Sequence, residues 1–188
     1  MLRKIVLLSL TSTLLAVGVV SVIRSDAESS SDTTKSANRI AQQEARQQRR
    51  AERLAEYQRY IDSLVTSHNY RFTPQTMQQL PAGIMRNLVN PSYEIVVMDE
   101  AVDICLPYLK GYTPPYYTVV FNYVLPSVRG YTAEQTNDGW HITFSSTLFS
   151  ANDYNFALDI YNHYGSAVLT LSSTFYNSVQ YTGNIMGI

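Results

Sequence analysis

Between Trp140 and Ser173 the sequence alternates. In "WHITFSST", Trp140, Ile142 and Phe144 fall on one side of an extended chain, and His141, Thr143 and Ser145 fall on the other. In "DYNFALDIYN", Tyr154, Phe156, Leu158 and Ile160 alternate with Asn155, Ala157, Asp159 and Tyr161, and in "SAVLTLSST", Ala167, Leu169 and Leu171 oppose Val168 and Thr170. A period of two belongs to β-strands, with one face buried and one face wet. The runs are joined by short links such as "HYG". Parallel pairing needs crossovers of a dozen or more residues, so these strands form an antiparallel meander.

The same reading extends in both directions. "VRGYTAEQ" precedes Asn137-Asp138-Gly139, a strong turn signal because glycine tolerates positive φ. "YEIVVMD" and "AVDICLP" meet at Asp99-Glu100, a two-residue hairpin. "RFTPQTMQQLPAGIMRNLVNPS" reads as one strand followed by a loop punctuated by Pro and Gly, and "YTGNI" closes a last strand. In "LKGYTPPYYTVVFNYVLP" the part around Val119, Phe121 and Tyr123 is a strand with those three on one face, and residues 111–117 are an exposed aromatic loop. Ahead of the strands, residues 37–67 contain no Gly or Pro and set Leu54, Tyr57, Ile61 and Leu64 at spacings of three and four, one apolar stripe of a helix. Followed toward the N-terminus, that register meets Arg50, Gln47 and Gln43, so only the last half of the helix is expected to dock. The expected fold is mainly β (α+β). An antiparallel meander of about seven to nine strands forms a strongly curved sheet or partial barrel, with one N-terminal helix.

The N-terminal residues bear on where this domain resides. Arg3 and Lys4 precede an apolar stretch over residues 5–23, and Ser25-Asp26-Ala27 follows it. This is the pattern of a secretory signal peptide. The stretch is long for a signal and is closed by Arg24, so an uncleaved inner-membrane anchor is the alternative. Residues 1–27 are therefore read as signal or anchor, 28–36 as a disordered tether rich in Ser, Asp and Thr, 37–67 as the helix and 68–188 as the β domain. The domain is expected outside the cytoplasm, periplasmic or extracellular, and membrane contact runs only through the N-terminal segment if it is uncleaved. Cys105 is the only cysteine, which excludes an internal disulfide and a lipid anchor just after the apolar stretch.

Charge narrows the partners. The net charge is −1, but Lys35, Arg39, Arg46, Arg49, Arg50, Arg53 and Arg59 lie close together, and the arginines of the helix form a solvated face or meet an anionic envelope component. Residues 68–188 hold only Arg71, Arg86, Lys110 and Arg129 against eight acids. Tracking a phosphate backbone needs clustered cations, so no nucleic acid is expected as partner.

Taken in order, the charged helix, "YRFTPQTMQQLPAG", "YEIVVMDEAVDICLPYLKGYTPP", "WHITFSSTLFSANDYNFALDIYNHYGSAVLTLSS" and "VQYTGNI" resemble a family of exported bacterial proteins known as domain of unknown function 4251. The most specific pieces are Leu106-Pro107-Tyr108, the strand from Tyr154 to Ile160 with Gly165-Ser166-Ala167 after it, and Tyr181-Thr182-Gly183-Asn184-Ile185. The resemblance implies an exported protein of Gram-negative bacteria with no established activity. Members usually carry a turn with Gly and Arg after the Leu-Pro-Tyr, where this chain has Leu109-Lys110-Gly111.

Catalytic signals are weak. None of His68, His141 and His163 sits in the setting of a nucleophile–base pair, and no ligand spacing for a metal occurs, although Asp159 and His163 could approach across a hairpin. No cofactor, no metal and no catalytic residue is expected. Tyrosine offers a flat apolar face with a polar tip, and Tyr108, Tyr112, Tyr116, Tyr117 and Tyr123 concentrate in one region, which makes them the candidate ligand-binding residues. The leading functional expectation is a non-catalytic envelope module that binds a small apolar or glycan ligand. The alternatives are a structural or protein-interaction component of the envelope and a hydrolase whose site the sequence does not reveal.

Overall fold

A computed structural model describes residues 29–99, 101–110, 117–149, 152–162 and 165–188. It contains one helix, α1 (Ser29–Thr66), and ten strands: β1 (Asn69–Gln79), β2 (Arg86–Asn87), β3 (Glu94–Met98), β4 (Ala101–Lys110), β5 (Tyr117–Leu125), β6 (Arg129–Gln135), β7 (Gly139–Phe149), β8 (Asn152–Tyr161), β9 (Ser166–Ser173) and β10 (Val179–Gly187). The fold is mainly β with an N-terminal helix, as the alternation requires. The strand number exceeds the expected range because the two-residue β2 pairs with β1 inside the loop that follows it. The expected signal or anchor, residues 1–27, lies outside the described residues. Among the described residues no helix is long and apolar enough to cross a membrane.

The chain divides after Ala45, and Arg46–Ile188 forms one compact unit holding the last part of α1 and the whole sheet. α1 starts at Ser29 and not at residue 37, so most of the expected tether is helical. Residues 29–36 contain no Gly or Pro, and extending an existing helix costs far less than nucleating one. Toward its end the helix buries Ile61, Leu64 and Val65 in the core, with Tyr57 packed against them, while Leu54 stays 43% exposed. The docked stripe thus begins one turn later than the spacing alone suggests. Two polar contacts fix its angle: Trp140 Nε1 donates to Asp62 Oδ1 at 2.8 Å, and the Gly187 amide donates to the Tyr60 hydroxyl at 2.9 Å. His68, at φ 50°, ends the helix in the left-handed region with its amide bonded to the Val65 carbonyl.

The strands form one antiparallel sheet in the order β5-β4-β3-β1-β10-β9-β8-β7-β6, curled into a half-barrel. The curl follows from connectivity. β5 and β6 are consecutive in the chain yet lie at opposite edges of the sheet, joined only by residues 126–128. Nine strands laid flat would separate those edges by roughly 38 Å at about 4.8 Å per strand. Three linking residues span at most about 15 Å. The sheet must therefore bend until its edges approach one another at that end.

The inner face is filled with side chains. Tyr70, Tyr108, Tyr154, Tyr181, Phe72, Phe121 and Phe156 are all fully buried. Tyr108 stacks on Phe121 at 4.7 Å between centroids, Phe121 meets Tyr154 edge-on at 5.2 Å, and Phe144 stacks on Phe156 at 4.7 Å. The buried hydroxyls find acceptors: Tyr181 donates to the Pro107 carbonyl at 2.6 Å, Tyr108 donates to the Asn177 carbonyl at 3.1 Å, and Tyr70 and Tyr131 share a 3.1 Å bond. The faces read from the sequence are the ones observed. Tyr154, Phe156, Leu158 and Ile160 are buried, as are Ala167, Leu169 and Leu171, while Trp140 is half-buried beside buried Ile142 and Phe144. The Asp99 hairpin is present, with Met98 opposite Ala101 and Asp99 at φ 51°.

Candidate functional site

The interior is packed, and the hollows among the described residues lie at the ends of the sheet and on its outer face, where one of about 380 Å³ runs over Thr143, Ser145, Asn155, Thr170 and Ser172. The first lies where the loop after β1 folds over the end of β4 and the β9–β10 link. Gly83 closes a tight turn, its amide bonded to the Gln79 carbonyl at 2.7 Å, and a Cβ there would stand 2.5 Å from that oxygen. The Gln78 side chain donates to the Gly83 carbonyl at 2.9 Å, and the Leu80 amide donates to the Ser178 carbonyl at 2.8 Å. These bonds hold open a cleft of about 370 Å³. Leu80, Pro81, Ile84 and Leu109 supply apolar walls, Gln79 and Asn177 add amides, and among the described residues Arg86 is the charged side chain lining it. Leu109 is 3% exposed and Ile84 is 82% exposed, so the cleft grades from an apolar floor to an apolar rim. Such a site can hold a small body with an apolar part and can pair a negative group with the guanidinium.

The second region, at the other end, surrounds His68 and Asp99, with hollows of about 340 and 660 Å³ sharing both residues. The His68 ring lies 4.6 Å from the Tyr131 ring, and the Asp99 amide donates to the His68 carbonyl at 3.0 Å. Both residues have positive φ, for separate structural reasons: one ends the helix and the other turns the hairpin. The cluster joins helix, hairpin and β6, and Ser127 and Tyr131 line it together with His68 and Asp99.

The tyrosines read from the sequence are not brought together as one surface by the described residues. Tyr108 is 0% exposed, its ring in the core and its hydroxyl committed to Asn177. Tyr117 is 68% exposed at the start of β5, opposite Lys110. Tyr123 is half-buried on the inner face of β5, 6.4 Å from Phe121. Tyr112 and Tyr116 lie outside the described residues. In the sequence, residues 111–116 connect Lys110 at the end of β4 to Tyr117 at the start of β5. Lys110 itself stands 5.1 Å from the centre of the Tyr176 ring, next to Asn177. Arg86, Ile84, Leu109 and Asn177 were not legible as a site, because they come from three separate stretches. The available signal was the turn-forming Pro81-Ala82-Gly83 followed closely by Arg86, a rare cation in this domain.

On the outer face the polar residues pair with one another. His141 Nδ1 is 2.5 Å from Asp159 Oδ1 across β7 and β8, so Asp159 meets His141, while His163 lies outside the described residues. Arg129 reaches from β6 over β7 to Asp153 at 3.0 Å and also bonds Thr147. Among the described residues no group of three His, Cys, Asp or Glu converges as a metal site. Burial, with the Asp103 and Glu94 carboxylates nearby, pushes the Cys105 thiol above its ordinary value and keeps it protonated at neutral pH.

The most specific sequence pieces turn out to be packing devices. Tyr181 of "YTGNI" bonds Pro107 of "LPY". Gly183 faces Pro74 at the β1 irregularity, where a Cβ would stand 2.1 Å from the Thr73 carbonyl oxygen. A proline cannot donate to a central ladder, and a bulge opposite a glycine accommodates it. Gly165 has φ 63°, and a Cβ there would meet the Tyr57 hydroxyl of α1 at 2.1 Å.

These features have counterparts in known proteins. The solved crystal structure of a DUF4251 family protein from Bacteroides eggerthii DSM 20697 is similar to this chain, with a TM-score of 0.55 at 12% identity, covering 71% of this chain and 89% of that one. At that identity the likeness concerns the fold. No curated protein matches the chain. The family model described as "Domain of unknown function (DUF4251)" matches residues 52–185, which take in the docked part of α1, β1 to β9, most of β10 and the cleft. The chain belongs to the DUF4251 family.

Proposed function

We propose that this protein is an exported, non-catalytic binding module of the bacterial cell envelope that takes a small ligand in the cleft between Leu80, Ile84, Arg86 and Leu109. The observation that carries the reading is the combination of a filled half-barrel interior with a rim cleft whose walls are largely apolar and, among the described residues, carry Arg86 as the charged side chain. A ligand for it has an apolar or sugar-like body, to lie on Leu80, Pro81 and Leu109, and a negative group for Arg86. Export is supported by the basic and apolar N-terminal residues.

Native mass spectrometry of the protein released gently from the envelope of its host tests this. The expected spectrum carries a reproducible adduct that disappears in Arg86→Gln and weakens when Tyr116 and Tyr117 are replaced by alanine. A bare polypeptide, or an adduct indifferent to Arg86, overturns the reading.

A further inference from the structure

The sheet has two edges, and they are built differently. β6 carries Arg129 and Glu134, includes Gly130, and breaks register between Arg129 and Thr132. Charges and irregularities of this kind are what natural edge strands use to refuse another strand. β5 has none of them. Its nine residues, YTVVFNYVL, contain no charge, no glycine and no proline, and its pairing with β4 is continuous from Tyr117 to Leu125. Among the described residues it pairs on one side only. Val120 is 50% exposed and Val124 is 69% exposed on its outer face, while Val119, Tyr123 and Leu125 are only half-buried on its inner face. An open, uncharged edge with apolar side chains on both faces is a template for strand addition.

The pattern of β5 identifies what adds to it. We infer that β5 pairs antiparallel with β5 of a second copy of this chain, about a two-fold axis through Asn122. In that register Val120 faces Val124 of the second copy and Val124 faces its Val120, so the exposed valines cover each other. On the inner side Phe121 faces Tyr123 of the second copy, an aromatic cross-strand pair that completes the burial of Tyr123. Asn122 faces its own counterpart and can bond it side chain to side chain. Over residues 119–125 every opposed position is thus matched apolar to apolar or amide to amide, the self-complementarity that an isologous interface demands. A partner strand bearing charge would have to bury it against Val120 or Val124, which selects against charged strands.

Light scattering with size-exclusion chromatography on the protein purified from its host, over roughly 1–100 μM, reads the outcome. The wild type is expected to run at twice the chain mass at the upper concentrations. Asn122 is exposed, so Asn122→Lys and Asn122→Glu keep the fold. Each alone sets like charges directly opposite on the axis and is expected to weaken the dimer more than about tenfold. Mixing the two variants one to one is expected to restore the doubled mass as a heterodimer. Retained circular dichroism in each variant separates loss of pairing from loss of folding. A wild type that stays monomeric overturns the inference, and so does a dimer indifferent to the charge at position 122. These results are independent of any adduct at Arg86.

Discussion

At the scale of single residues the buried tyrosines give the sharpest consequence. Burial, with Tyr108 beside it, raises the Tyr181 hydroxyl well above its ordinary value near 10, and burial with Tyr131 beside it does the same for Tyr70. A hydroxyl whose folded pKa is raised stays protonated in the native state while the unfolded chain ionises. The unfolded state then holds fewer protons, and stability falls as pH rises. The contribution is whole below about pH 10 and is lost progressively from there toward the raised native values. Urea midpoints are therefore expected to be flat across neutral pH and to drop above about pH 10. Part of the tyrosinate absorbance should appear only with unfolding. Tyr181→Phe removes the donor to the Pro107 carbonyl and is expected to cost about 1–3 kcal/mol at neutral pH, with a shallower alkaline loss. A variant as stable as the wild type would contradict the role given to this bond. These tyrosines were visible in the sequence as aromatic content. Which of them would be buried was not, because Tyr108 and Tyr117 sit in equally apolar contexts and differ only in what covers them.

At the scale of elements, the helix shows how far a periodic signal reaches. Leu54, Tyr57, Ile61 and Leu64 share one stripe, so the sequence placed them on the same face of α1. Only the tertiary arrangement decides that contact begins at Tyr57, where Gly165 leaves room for its hydroxyl, and not at Leu54. Ile61→Ala is accordingly expected to destabilise by about 2–5 kcal/mol in denaturant titrations. Arg50→Ala, three turns earlier on an exposed face, is expected to stay within about 0.5 kcal/mol. Equal effects would mean that the helix is held along its length. The strands were more legible than the helix ends. An alternation of period two states which face is buried, and Asp99 and Gly139 announced their turns through the positive φ that each turn requires.

At the scale of the whole molecule, stability depends on pairing the two ends of the domain. β1 is the first strand and β10 the last, yet they are neighbours at the centre of the sheet, registered from Tyr70 opposite Gly187 to Gln79 opposite Val179. Without β10 the sheet separates into two parts, each with a new open edge and half a core. A chain ended at Ser178 is therefore expected to lack cooperative unfolding and to be degraded rapidly in limited proteolysis. Persistence of a protease-resistant core of strands would show that one part folds alone. The same topology explains why the candidate cleft was out of reach of sequence reading. Its walls come from the β1–β2 loop, the end of β4 and the β9–β10 link, which approach only once β4, β1 and β10 lie in one curled sheet.

The sequence by itself determined the class of fold, the antiparallel pairing, the inward face of nearly every strand and the family. Those properties rest on local chemistry: side-chain period, turn residues, and the short links between most consecutive strands. Only the tertiary structure decided the strand order, the curl, the filled interior and the two unlike edges. These depend on which distant strands meet. A chain of alternating strands is compatible with many orders until its core side chains select one, and here the meeting of β1 with β10 and the three-residue link between β5 and β6 leave a half-barrel.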